Sequence, residues 1–220
     1  MSRKPLDKFL RLLKATSSGA VFNPWWEVDR RNDIGRIAPI IRRQQLRVYV
    51  QQRLGRAKLV VVGEALGYRG GHFTGIPMTS ERMLLRNQQN IVAGIKPRRT
   101  SKASVCPNGF SEPTATIVWG ALLKIGVLPD EFVLWNAFPW HSFEPRRGLL
   151  SNRMPNKSER AAGLPVLKAF LELFPYDQVV ALGKIAAAQL EAIGVKAHCV
   201  RHPASGGAKL FRQQIANIAR

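Results

Sequence analysis

Cysteine is scarce in these 220 residues: there are only two, Cys106 and Cys199. They lie far apart, which argues against a metal-binding pair and against a disulfide framework. No apolar run reaches the ~18 residues of a membrane span. The start of the chain, through Pro5, lacks the apolar core and cleavage site of a secretory signal. Asp7 and an early amphipathic pattern argue against a transit peptide. These absences predict a cytoplasmic, reduced protein with no membrane attachment. Acids are scarce too, 14 Asp and Glu against 34 Lys and Arg, giving a net charge of +20. A field of that sign attracts polyanions, and nucleic acid is the commonest. Anionic membrane and simple solubility are the competing explanations.

No internal repeat or low-complexity tract divides the chain, so one domain spanning 1–220 is expected, with 1–57 as a helical extension packed on it. Leu6, Phe9, Leu10 and Leu13 follow a helical spacing, and Ser17, Ser18 and Gly19 break it. Phe22 to Trp26 reads as an aromatic loop. Pro39 opens a helix running to about Leu54. Four short apolar runs read as buried parallel strands: Leu59 to Val62, Phe132 to Trp135, Gln178 to Leu182 and Ala197 to Val200. Helices are predicted over 80–94, 114–124, 158–173 (distorted at Pro165), 184–193 and 207–219. The stretches 96–113 and 139–157 read as long loops, the first exposed and carrying Arg98, Arg99 and Lys102. Strands alternating with helices predict an α/β fold, a three-layer α/β/α sandwich with a mostly parallel four-stranded central sheet.

In such sheets ligands bind beyond the carboxyl ends of the strands. That rule selects Gly63 to Gly75, Asn136 to His141, and Arg201 to Lys209. Glu64 ends a buried strand, where a carboxylate must be paired, exposed or functional. Glycines at 63, 67, 70, 71 and 75 let backbone approach a ligand closely. Gly183-Lys184 is no P-loop, since it lacks the upstream glycine and the following hydroxyl residue. Asn136 can donate and accept at once. His202, between Arg201 and Pro203, sits on a restrained backbone.

Three motifs in that order, Gly63-Glu64-Ala65-Leu66-Gly67 with Phe73-Thr74-Gly75, then Asn136, then His202-Pro203-Ala204-Ser205, resemble the uracil-DNA glycosylase superfamily. The resemblance runs from about Lys58 to the C-terminus and is strongest to its thermostable bacterial and archaeal branch. It departs from that branch in three ways. Two cysteines cannot ligate its iron–sulfur cluster, Leu66 replaces a proline, and Ala65 replaces the Asp or Asn that activates water in other branches.

The resemblance implies a monofunctional DNA repair enzyme that hydrolyses the N-glycosidic bond of uracil in DNA. Its partner would be uracil-containing DNA, with no cofactor, metal or iron–sulfur cluster and a monomeric state, in the bacterial cytosol or nucleoid. Another deaminated base as substrate, or a binding protein that has lost turnover, are the alternatives. Glu64 and His202 are the expected catalytic pair, Glu64 orienting water and His202 stabilising the departing base; the competing role for Glu64 is capping its turn. Ala65, Tyr68, Phe73 and Asn136 are expected to bind the base, Phe73 by stacking and Asn136 by reading its edge. His141 is an alternative proton donor. Arg69, Ser80, Ser205, Gly206, Lys209 and Leu210 are expected to contact DNA, with Leu210 or Lys209 filling the gap left by the extruded base. Arg146, Arg147, Arg153 and Lys157 are further phosphate contacts by charge alone. No lysine sits where a Schiff base would form, so lyase activity is not expected.

Overall fold

The computed structural model describes residues 4–15 and 19–218. Ser17, Ser18 and the end of the closing helix at Ala219 lie outside the described residues. In chain order the elements are α1 (Lys4–Leu12), β1 (Val21–Phe22), α2 (Ala38–Gln51), β2 (Leu59–Ala65), α3 (Gly71–Thr74), α4 (Glu81–Arg86) and α5 (Pro113–Lys124). They continue with β3 (Phe132–Phe138), β4 (His141–Ser142), α6 (Lys157–Leu171), β5 (Gln178–Leu182), α7 (Lys184–Glu191), β6 (His198–Val200) and α8 (Ala208–Ile218).

The four longer apolar runs form one parallel sheet in the order β3-β2-β5-β6. Both faces are covered, which is why Val60, Val61 and Val62 are all fully buried rather than alternating. The chain steps one way from β2 to β3, then jumps back past β2 to β5 and on to β6. Right-handed crossovers in opposite directions put their helices on opposite faces. Accordingly α5 meets α8 on one side, while α6 and α7 pack on the strands from the other, with α1 against α6. The result is the three-layer α/β/α sandwich. The reversal of strand order beside β2 opens a crevice at the strand ends.

The segment before β2 shares this core. Trp135 of β3 stacks on Phe170 (4.4 Å) and meets the edge of Phe9 from α1 (5.2 Å). Each such pair contributes about 0.5–1.5 kcal/mol beyond its buried area. Arg53, just past α2, is buried and donates to the carbonyls of Phe132, Tyr49, Ile91 and Pro129. It thereby ties α2 to the start of β3.

Several elements differ from the sequence reading. The helix expected over 80–94 stops at Arg86, because Asn87 turns left-handed (φ 46°) and its side chain takes the Ile91 N–H. The aromatic stretch after Ala20 is not simply a loop: Val21–Phe22 pairs antiparallel with His141–Ser142, and Trp25 is fully buried. The 96–113 stretch is pinned rather than free, since buried Glu81 accepts from the Thr100 and Ser101 N–H groups and the Ser101 hydroxyl. Helix α6 runs unbroken through Pro165. Pro165 and Ala161, whose carbonyl loses its partner in the helix, are both exposed, so the loss falls on the solvent side of α6. On the opposite side Gly163 touches the sheet, and a Cβ there would lie 2.9 Å from the Ala137 carbonyl.

Candidate active site

The carboxyl ends of β2 and β3 and the turn after β6 converge on a cavity of about 400 Å³. Its lining includes Glu64, Ala65, Asn136 and His202, together with Met78, Glu112, Asn152 and Ala204. Adjacent parallel strands set Gly63 directly beside Asn136. A Cβ on Gly63 would sit 2.7 Å from Asn136 Oδ1, so the glycine leaves room for the asparagine amide. Asn136 is 2% exposed, which makes any hydrogen bond to it short of competing water.

Glu64 is half-buried. Loss of hydration raises its pKa, and nearby Arg160 acts the other way. His202 follows β6, and its Nδ1 accepts the Ala204 N–H at 3.1 Å. That bond places the ring proton of a neutral imidazole on Nε2. Burial, then Arg201, lowers its pKa and keeps it neutral. The turn beneath it closes through Gly207, where a Cβ would collide with the His202 carbonyl at 2.0 Å. The Ser205 backbone is left-handed (φ 52°).

Phe73, expected to stack on a base, does not line the cavity. It is fully buried, with its ring flat against Phe110 at 4.4 Å and 5°. Among the described residues no Phe, Tyr or Trp lines the cavity; Met78 stands there instead. Met78 has a left-handed backbone (φ 47°), held by the Trp119 indole N–H donating to its carbonyl. A non-glycine residue kept in such a conformation is a common mark of a working site. Tyr68 borders the turn, its hydroxyl accepting from Arg69 Nε at 2.8 Å, and Asn152 Oδ1 receives the Tyr68 N–H.

The expected DNA contacts divide by exposure. Arg69, Ser205, Gly206, Lys209 and Leu210 are exposed, the last four in the turn after His202 and the start of α8. Ser80 is buried, and its hydroxyl caps α4 by accepting the Met83 N–H. Arg153 is locked in a two-point ion pair with Glu159 (2.6 and 2.7 Å). His141 lies away from the cavity, buried against His72 with Nδ1 atoms 3.0 Å apart, and burial lowers its pKa to about 3.

Glu112 and Asn152 were missed in the sequence, where each reads as an ordinary polar residue at a helix start or in a loop. The closely spaced glycines opposite were the usable signal: Gly67 and Gly70 lie against the Glu112 carboxyl, so near that a Cβ on Gly70 would overlap it. A larger groove of about 910 Å³ lies between residues 21–36 and Phe143 and Leu149, away from these strand ends. Both cysteines are free, and among the described residues no group of His, Cys, Asp or Glu is arranged to hold a metal. No described helix is long and apolar enough to cross a membrane.

Residues 52–216 match the sequence profile of the uracil DNA glycosylase superfamily. With this sheet and strand-end cavity, the protein is a DNA glycosylase of the base-excision-repair kind. More narrowly, it belongs to the uracil DNA glycosylase superfamily. The crystal structure of SMUG2 from Pedobacter heparinus has the same fold. It superposes with a TM-score of 0.63 at 14% identity, over 98% of this chain and 96% of that one. No curated protein matches the sequence.

Proposed function

We propose that the protein excises uracil from DNA by hydrolysing its N-glycosidic bond and leaving an abasic site. The observation that carries this reading is the meeting of Asn136, Glu64 and a tautomer-fixed His202 in one cavity. The Asn136 amide is suited to the O4 and N3–H of uracil and mismatched to the amino group and bare N3 of cytosine. Met78 supplies the surface under the extruded base, through a polarisable thioether rather than a ring. The leaving base accumulates negative charge, and a neutral imidazole donating from Nε2 stabilises it without protonating it. Glu64, as an anion, stabilises the positive sugar and orients water. Ala65 has no group to contribute to that water. The exposed cations and the His202 turn would hold the duplex, with Leu210 or Lys209 filling the vacated stack.

The alternative of another deaminated base is favoured by the open cavity and its flexible methionine wall. A panel of single-lesion oligonucleotides decides: cleavage is expected at uracil, and its absence there sinks the reading. A second check is Gly63→Ala, whose backbone accepts a side chain but whose methyl must displace the Asn136 amide. Overpacking of this kind costs about 1–3 kcal/mol. Excision is therefore expected to fall about 10- to 100-fold, with a melting temperature lower by about 2–12 °C. Native kinetics in that variant would remove Asn136 from base recognition.

A further inference from the structure

Glu112 enters the cavity from the start of α5, on the side opposite the strand ends that supply Glu64 and Asn136. The residue as a whole is half-buried, but its Oε2 is closed off from solvent and has no hydrogen-bond partner. It does not cap its own helix. Instead the carboxyl lies flat along the backbone at Gly67 and Gly70, two positions where a side chain would push it out. A carboxyl kept in a cavity wall with an unpaired oxygen is costly to the fold, and among the described residues no cation or N–H donates a hydrogen bond to that oxygen. That combination is what a substrate-facing group needs before its substrate arrives.

Building on the base-excision reading above, we propose that Glu112 is a substrate-contacting residue whose neutral carboxyl donates a hydrogen bond to a heteroatom on the edge of the extruded base. Two carboxyl groups then share the cavity in different states. Glu64 has Arg160 nearby to support its charge, whereas Glu112 has only burial, which raises its pKa to about 7. A pair held apart in this way divides the work between an anion and a donor. The donor would meet the negative charge that grows on the base as the glycosidic bond breaks, alongside His202.

Charged and titratable groups around Glu112 come from four elements. Glu64 comes from β2, Tyr68 and Arg69 from the following turn, Arg153 from the 139–157 segment, and His202 from the turn after β6. Arg69 is bonded to the Tyr68 hydroxyl and Arg153 to Glu159, and burial followed by Arg201 shifts His202 downward, in the direction away from the range at issue. Glu112 is protonated at low pH and loses its proton as pH rises through about 7. A donor role therefore requires activity to fall over that interval, whereas a base role requires it to rise.

The test is single-turnover excision of uracil from neutral to alkaline pH by the native enzyme, Glu112→Gln and Glu112→Ala. The native rate is expected to fall as pH passes about 7. Glu112→Gln, whose amide donates at every pH, is expected to lose that fall, and Glu112→Ala to be at least about tenfold slower throughout. An infrared difference between native enzyme and Glu112→Gln at neutral pH is expected to show a protonated-carboxyl stretch. An alkaline fall that persists in Glu112→Gln, a rate that rises instead, or no protonated-carboxyl band overturns the donor role while leaving uracil excision standing. Native enzyme that releases no base at any pH overturns both.

Discussion

Glu64→Gln is expected to lower single-turnover excision of uracil by about 10²–10³-fold, the effect of losing one well-placed electrostatic group, ~2.7–4 kcal/mol. The substitution keeps the shape of the side chain and removes only its charge, so the melting temperature should barely move. Glu64 sits at the end of a buried strand, and the charge is opposed by burial and supported by Arg160. Its pKa is consequently raised, and the anion is lost at a higher pH than for an ordinary glutamate. Since the anion is the active form, the native rate should fall on the acid side earlier than a normal carboxylate would dictate. The Gln variant should be slow and flat over the same interval. A Gln variant within about threefold of native, with an unchanged acid limb, would reduce Glu64 to a residue that caps its turn.

Arg42→Ala is expected to have the largest effect on stability. Arg42 and Asp33 form an ion pair at 2.8 Å with both side chains at 0% exposure. The guanidinium is fully used, bonding Asp33 through two nitrogens and the carbonyls of Pro24, Glu27 and His72. Removing it strands a buried carboxylate, which costs about 3–5 kcal/mol. At ~2–4 °C per kcal/mol for a domain of this size, the melting temperature should drop by about 6–20 °C. Adding Asp33→Asn should recover part of that loss, because the stranded charge is then gone. Calorimetry on the two variants checks both statements, and an unchanged midpoint in Arg42→Ala would show the pair contributes nothing net. Because Arg42 also holds the His72 carbonyl, the variant should loosen the turn that follows Glu64.

The sheet was legible in the sequence because β2, β3 and β5 are largely buried on both faces and read as apolar runs, while the edge strand β6 is exposed at His198 and Cys199 and carries a weaker signal. The strand-end stretches followed from the sheet, the resemblance to the glycosylase superfamily pointed to Glu64, Asn136 and His202 within them, and the structure brings all three to one cavity. What escaped was set by contacts distant in sequence. Phe73 looks like a base-stacking ring until Phe110 covers it. Glu112 looks like an ordinary acid just before a helix until Gly67 and Gly70 are found against it. The end of α4 depends on a left-handed Asn87, and hydrophobic spacing carries no trace of that. Glu81, in the same helix, organises Thr100 and Ser101 through bonds that no local pattern announces.

Asp29, Asp33, Glu81 and Glu159 are all turned inward and nearly inaccessible to solvent. Among the described residues only two cations, Arg42 and Arg53, are buried with them, so the surface is somewhat more positive than the net charge of +20 implies. Salt screens exposed charges strongly and buried pairs weakly. Ionic strength thus acts on the two halves of this protein's electrostatics separately. It can loosen the enzyme's hold on the phosphate backbone, and so let it move along or leave a duplex, without touching the ion pairs that keep it folded.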